Sequence, residues 1–228
     1  MSDVEVEKRV AAREALELVR GVDLLGLGSG STVAVFVEEL AKSEHASRLS
    51  VIPSSRQIEG IARSFGLKVV YPDRERPEVT IDGADEVDRN LSLLKGGGGA
   101  LLREKVLASN SEVYVVIVDH TKLVERLCSK RALPVEVLPY GVRWTIDNLR
   151  KELNCDAELR VIGGSPFVTD NGNFIVDLRC PPLEDPLSLE REIKRIPGVV
   201  EVGIFNDLAD CVYAASGAEV RKLGRCYF

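Results

Sequence analysis

From Val113 to Asp119 the chain reads VYVVIVD, apolar at every position before the terminal aspartate. A strand with one wet face alternates apolar and polar residues, so a run like this must be covered on both faces. Helices on either side of a parallel sheet supply that cover, and the preceding sequence has the rhythm to do so. Val22 to Leu27 is a short apolar run, Thr32 to Ala41 reads as a helix and Leu49 to Pro53 as a strand. Arg56 to Phe65 is a helix that Ser55 can cap and Gly66 can end. Leu67 to Tyr71 and Val79 to Asp82 are further strands, and Ala100 to Ala108 a further helix. Ahead of them, Val4 to Arg20 is amphipathic, with Val6, Val10, Ala11, Leu16 and Val19 at helical spacing.

After Lys122 the rhythm changes. Leu133 to Leu138 is strand-like, Trp144 to Leu153 helical and Ala157 to Ile162 strand-like. Phe167 to Leu178 reads as a hairpin about Asn171-Gly172, a dipeptide that favours a type I′ turn. Leu187 to Ile196 is a helix stopped by Pro197-Gly198, and Val199 to Phe205 a strand. The order βαββαβ is the split unit of ferredoxin-like folds. The expected fold is therefore α/β: a Rossmann-like parallel sheet covered by helices in 1–130 plus 206–228, with a smaller inserted ferredoxin-like α+β domain in 131–205. The chain rejoins the first sheet near Cys211 to Ala215.

Composition narrows the function classes. A net charge of −6 over 228 residues argues against nucleic acid as a partner, because neutralising phosphates needs a basic face. No apolar run approaches the roughly 18 residues of a membrane span, and no signal-peptide pattern opens the chain. The five cysteines are scattered and odd in number, with no C-x-x-C pair. That spacing suggests neither zinc nor a disulfide framework and suits a reducing cytoplasm. Glutamine occurs once, at Gln57, among many Glu, Arg and Lys, a composition that leans towards a heat-adapted source.

The chemistry gathers between Ile81 and Lys105: Asp82 and Asp85 around a Gly-Ala step, then Lys95, Gly96 to Gly99, and Glu104. Four consecutive glycines suit no strand, and each would cost a helix about 1 kcal/mol. They read as a bare backbone turn whose N–H groups can approach a ligand. Two carboxylates, an ammonium beside the turn and a third carboxylate on the next helix make a proton-transfer site. Each residue has a plainer role to set against this. Aspartates cap turns, exposed lysines are solvated, and a helical glutamate usually pairs at i,i+4. Position argues for the functional reading, since Asp82 ends a strand, where ligands collect in open α/β sheets.

A second glycine cluster, Gly26 to Thr32 (GLGSGST), joins a strand to a helix. Free N–H groups, the helix dipole and the hydroxyls of Ser31 and Thr32 would hold an anion there. It is neither the dinucleotide fingerprint nor a Walker A loop, and the plain alternative is a tight turn capped by Ser31 or Thr32. Histidine occurs only at 45 and 120, which excludes a metal site built on several histidines, and His120 reads as incidental.

Taken together, GSGST at 28–32, DGADEVD at 82–88, KGGGGALLREK at 95–105 and DHTK at 119–122 resemble type A ribose-5-phosphate isomerase. LPVEVLP at 133–139, VTDNGN at 168–173 and IPGVVEVGIF at 196–205 extend the likeness over nearly the whole chain. The resemblance implies interconversion of D-ribose 5-phosphate and D-ribulose 5-phosphate without metal or organic cofactor. It implies that Ser29, Gly30, Ser31 and Thr32 form a substrate-binding loop, with Ser31 and Thr32 near the phosphate and Lys8 and Lys122 close to that end. Asp82, Gly83, Ala84 and Asp85, with Lys95, Gly96, Gly97 and Gly98, would line the sugar. Glu104 would be the general base, and Asp82 or Asp85 would assist ring opening. A cytoplasmic homodimer or homotetramer is implied as well. The chain departs from the family pattern at Pro53, which precedes Ser54-Ser55 in place of a longer serine run, and at Gly99, where alanine is usual. Its tail from Gly224 to Phe228 has no recognised counterpart. The rival reading is a sugar-phosphate sensor without turnover, which would need a DNA-binding element. Only one helix precedes the first strand, and the acidic balance opposes it. A CoA-transferase-like enzyme acylated at a glutamate is more remote.

Overall fold

The computed structural model describes residues 3–226, and its chain divides into two compact units. The first comprises Met1–Ala84, Arg103–Leu123 and Asp207–Phe228, the second Asp85–Leu102 and Val124–Asn206. Asp85–Leu102, assigned by sequence to the larger domain, thus packs within the second unit.

The first unit is built on a seven-stranded sheet. Its order is Glu219–Gly224, Cys211–Ser216, Val113–Asp119, Val79–Asp82, Leu24–Leu27, Ser50–Pro53 and Lys68–Val69. All neighbours are parallel except Cys211–Ser216 with Glu219–Gly224. Val113–Asp119 has a strand on either side and is buried from Tyr114 onward, as its composition requires. The helices Asp3–Ala15, Ser31–Lys42 and Arg56–Ser64 contribute Ala11, Ala15, Phe36, Val37, Leu40 and Ile58 to one core with Leu25, Leu27, Ile81, Val115 and Ile117. Ser55 caps the third helix by accepting the Ile58 N–H at 3.2 Å. The edge strand Glu219–Gly224 was not foreseen, because four of its six residues are exposed and Glu219, Arg221 and Lys222 break any apolar run.

The second unit holds a four-stranded antiparallel sheet in the order Val199–Val202, Leu133–Val137, Phe174–Arg179, Asp156–Leu159. With the helices Val142–Leu153 and Pro186–Lys194, this is the ferredoxin-like arrangement, with Leu133, Val135, Leu149, Val176, Leu178 and Ile193 in its core. Two expectations are corrected here. The strand Val199 to Phe205 breaks at Gly203, and Ile204–Phe205 pairs instead with Leu93–Leu94 in a separate three-stranded sheet. The turn at Asn171-Gly172 is not type I′, because only Gly172 takes a positive φ, +80°.

The cysteine reading is also corrected. Cys155 bonds to Cys180 and Cys211 to Cys226, each pair with its Cα atoms 5.1 Å apart. Strand pairing explains what sequence spacing hid. Arg179 opposes Asp156 and Gly224 opposes Cys211, so partners 25 and 15 residues apart become neighbours. No helix among the described residues is long and apolar enough to cross a membrane.

Candidate active site

In the first unit the strand Leu24–Leu27 runs into Gly28-Ser29-Gly30 and then the helix Ser31–Lys42. Gly30 is the N-cap, with φ 96° and ψ 179°, and no side chain caps the helix. The plain alternative, a turn capped by Ser31 or Thr32, is therefore not what forms. The opening N–H groups of this helix are left to water or an anion. Ser31 is exposed there and Thr32 buried. The Ser29 hydroxyl lies 2.9 Å from Ser54 Oγ and donates to Ser55 Oγ at 2.7 Å, so the short serine pair after Pro53 braces this loop.

Beside the loop, Asp82 ends the strand Val79–Asp82 fully buried. Its Oδ1 accepts the N–H groups of Ser29 at 3.2 Å and Gly83 at 2.7 Å, and its Oδ2 accepts the Tyr114 hydroxyl at 2.8 Å. Glu104 lies in the first turn of the helix Leu101–Asn110 and is only 4% exposed. Burial, and then the negative charges of Asp82 and Glu104, push the Tyr114 phenol well above its ordinary range. The sign for stability follows from that rise. The neutral phenol stabilises the fold fully below about pH 10, where an unfolded tyrosine titrates. Above that pH its contribution falls by about 1.4 kcal/mol per pH unit. Denaturant titrations from pH 8 to 11 should show Tyr114→Phe less stable than the wild type at pH 8 but with a shallower alkaline decline. Equal slopes would dismiss the assignment.

Lys122 closes a short 3-10 turn, His120–Lys122, after the buried Asp119, whose Oδ1 accepts the Thr121 N–H at 3.0 Å. His120 is not incidental. Its Nδ1 lies 2.6 Å from Glu7 Oε2, and Glu7 also accepts the Gly217 N–H at 2.9 Å. Burial raises the Glu7 carboxyl, but the hydrogen bonds from Gly217 and His120 outweigh it and leave the group below its ordinary range. This contact ties the helix that carries Lys8 to the turn that carries Lys122. Lys8 pairs with Glu5 at 2.6 Å.

In the second unit Asp85 is half-buried. Its N–H donates to Leu94 O at 2.8 Å, and its Oδ2 accepts the Gly97 N–H at 2.7 Å. Lys95 is 3% exposed; its N–H donates to Gly203 O at 2.8 Å and its ammonium stands 5.5 Å from the Phe205 ring centroid. Gly203 must be glycine, because a Cβ there would meet Lys95 O at 2.3 Å. Gly96 and Gly99 take positive φ, and Gly99 N–H donates to Gly96 O at 2.9 Å, closing the turn expected of the glycine run. Gly99 replaces the usual alanine for a visible reason: besides its φ of +78°, a Cβ would lie 2.3 Å from Phe167.

The structure thus brings Ser29, Gly30, Asp82 and Gly83 together in one unit and Asp85, Lys95, Gly96 and Gly97 together in the other. Tyr114 was missed because it lies inside the most apolar strand. Chemically, the first unit offers a helix N-terminus suited to a phosphate and two buried carboxylates. The second offers a buried ammonium and, next along the chain, a turn in which Gly97 and Gly98 are exposed.

Comparison with known proteins agrees with this chemistry. A family model described as ribose 5-phosphate isomerase A (phosphoriboisomerase A) matches residues 50–219. The chain is 70% identical over 220 residues to a ribose-5-phosphate isomerase A of Korarchaeum cryptofilum, covering 96% of this chain and 98% of that one. It is 41% identical to a counterpart in Pyrococcus abyssi over 98% of this chain and 100% of the other. Among solved structures, a D-ribose-5-phosphate isomerase in complex with phospho-erythronic acid superposes with a TM-score of 0.92 at 40% identity, covering 99% of this chain and 100% of its own.

Proposed function

The chain belongs to the ribose 5-phosphate isomerase A family, and on that premise we propose that it interconverts D-ribose 5-phosphate and D-ribulose 5-phosphate through a cis-enediolate, in the non-oxidative pentose phosphate pathway. The observation that carries this reading is the buried Glu104, 4% exposed in the turn of helix that follows the glycine run. Burying a carboxylate is costly, and a helix that needed only packing would place an apolar residue there.

In the open-chain aldose, Glu104 takes the proton from C2. The C–H electrons form the C1–C2 double bond, and the aldehyde oxygen becomes an enediolate oxyanion. The same carboxyl then returns the proton to C1 while the O2 hydroxyl proton passes to O1, giving the ketose. The carbon acid is weak, so the oxyanion needs fixed donors, and we assign that work to the Lys95 ammonium and the N–H groups of Gly96 and Gly98, since the Gly97 N–H is given to Asp85. Asp82 or Asp85 assists ring opening, and both line the sugar together with Gly83 and Ala84. Ser29, Gly30, Ser31 and Thr32, with Lys8 and Lys122, take the phosphate.

No step in this scheme uses a metal or an organic cofactor. Conversion of ribose 5-phosphate to ribulose 5-phosphate is therefore expected to proceed undiminished in EDTA. Substrate bound without turnover would replace this reading with the sensor reading, and turnover lost to the chelator would restore a metal to the mechanism. We also propose a cytoplasmic location, in keeping with a metabolic substrate, and self-association as a dimer or tetramer. Leu138, Tyr140 and Trp144 of the second unit are 45%, 81% and 70% exposed, an apolar surface fit for a second copy.

A further inference from the structure

A run of glycines explores many conformations, so an N–H within it is a useful oxyanion donor only if something outside the run fixes it. In the second unit that role falls to Arg160. Its Nη1 donates to Gly96 O at 2.9 Å and to Gly97 O at 3.0 Å. The rest of the guanidinium forks onto one carboxylate, Nε to Asp177 Oδ2 at 2.8 Å and Nη2 to Asp177 Oδ1 at 2.5 Å. The Arg160 side chain is 14% exposed, and its guanidinium stands 5.8 Å from the Phe167 ring, the same ring that fills the space left by Gly99. Phe167 is held in turn, its N–H donating to Arg160 O at 2.9 Å. Arg160, Asp177, Asp85 and Gly97 line a common cleft of about 410 Å³.

Peptide geometry gives this grip a direction. Among the described residues every peptide bond is trans, and a trans peptide points its C=O and its N–H opposite ways. Holding Gly96 C=O turns the Gly97 N–H away from the guanidinium, where Asp85 takes it at 2.7 Å. Holding Gly97 C=O turns the Gly98 N–H away in the same manner. Gly98 is exposed, and a Cβ there would meet nothing within 4 Å, so a ligand can reach this peptide.

We propose that Arg160, braced by Asp177, is a positioning residue for the isomerisation: it orients the Gly97–Gly98 peptide so that the Gly98 N–H donates to the developing enediolate oxygen. The proposal rests on the isomerase reading. A role confined to stability would move melting temperature and leave the partition between kcat and KM alone; a positioning role moves kcat. Arg160→Lys keeps the charge but cannot grip both carbonyls and Asp177 at once. The pair Arg160→Met with Asp177→Leu removes the clamp without stranding a charge. Both are expected to lower kcat about 10- to 100-fold, with KM and inhibition by inorganic phosphate within about threefold of the wild type. Amide hydrogen exchange at Gly97 to Gly99 should quicken in both. Should the pair fail to fold, Asp177→Asn, which keeps the arginine but loosens its brace, is read in its place with the same expectation at smaller size. A kcat within about twofold of wild type, or a kcat loss matched by equal rises in KM and the phosphate inhibition constant, overturns the proposal. If the wild type itself does not turn over, the isomerase reading fails, and unchanged exchange at Gly97 to Gly99 in Arg160→Lys then overturns the clamp on its own.

Discussion

Glu104→Gln is expected to yield a folded protein that binds ribose 5-phosphate with nearly unchanged affinity and isomerises it at least about 10³-fold more slowly, near the upper range for general acid–base catalysis. The substitution is close to isosteric, so the 4% exposed position keeps its packing. What disappears is the ability to accept a proton from C2 and hand it to C1. An amide cannot do either at neutral pH, and no second carboxylate can inherit the role cheaply. Asp82 is held by three donors, from Ser29, Gly83 and Tyr114, and Asp85 has one oxygen on the Gly97 N–H. The measurement is steady-state turnover with a melting curve, joined to incorporation of solvent deuterium into recovered substrate. That exchange reports proton abstraction even where net conversion is slow. A folded Glu104→Gln protein with turnover within about tenfold of wild type would remove Glu104 from the mechanism.

The parts of this molecule that announce themselves in sequence are those where one residue type can satisfy the local demand. VYVVIVD can only be a strand covered on both faces, and KGGGG can only be a turn. Ser55 before Arg56, with Gly66 closing the helix, marks both ends of one element by capping chemistry. What stayed hidden depends on contacts between distant segments. Tyr114 looks like one more bulky residue in an apolar strand until pairing sets it opposite Thr80, from where its hydroxyl reaches Asp82 two positions along the neighbouring strand. His120 gains its role from Glu7, 113 residues away. Arg160 and Asp177 are unremarkable in sequence, and only the pairing of Phe174–Arg179 within its sheet, together with the path of the glycine turn, brings a guanidinium to two carbonyls. The cysteines follow the same rule. Spacing counted along the chain suggested free thiols, whereas antiparallel pairing made two of the pairs neighbours.

Gly28→Ala is expected to cost about 3 kcal/mol or more of stability and to abolish most turnover, although it adds a single methyl group and the backbone there avoids positive φ. The added Cβ would lie 1.8 Å from Asp82 Oδ1 and 1.9 Å from its Cγ. Neither partner can give way. Gly28 N–H is bonded to Ile81 O at 2.9 Å, and the strands that meet here are paired residue for residue up to Leu27 and Ile81. If the carboxylate swings aside it surrenders Ser29, Gly83 and Tyr114, and hydrogen bonds to a charged group are worth about 1.5–3 kcal/mol each. Gly30→Ala tests a different cause, since nothing lies within 4 Å of its Cβ but φ is +96°; backbone strain alone predicts a loss of about 1–3 kcal/mol. Gly98→Ala, with open space and no positive φ, should leave stability within about 0.5 kcal/mol of wild type. Urea denaturation of the three variants separates close approach, backbone strain and neither. A Gly28→Ala protein as stable as Gly98→Ala would mean that Asp82 can be displaced at little cost, and the picture of a rigid carboxylate lining the sugar would have to be abandoned.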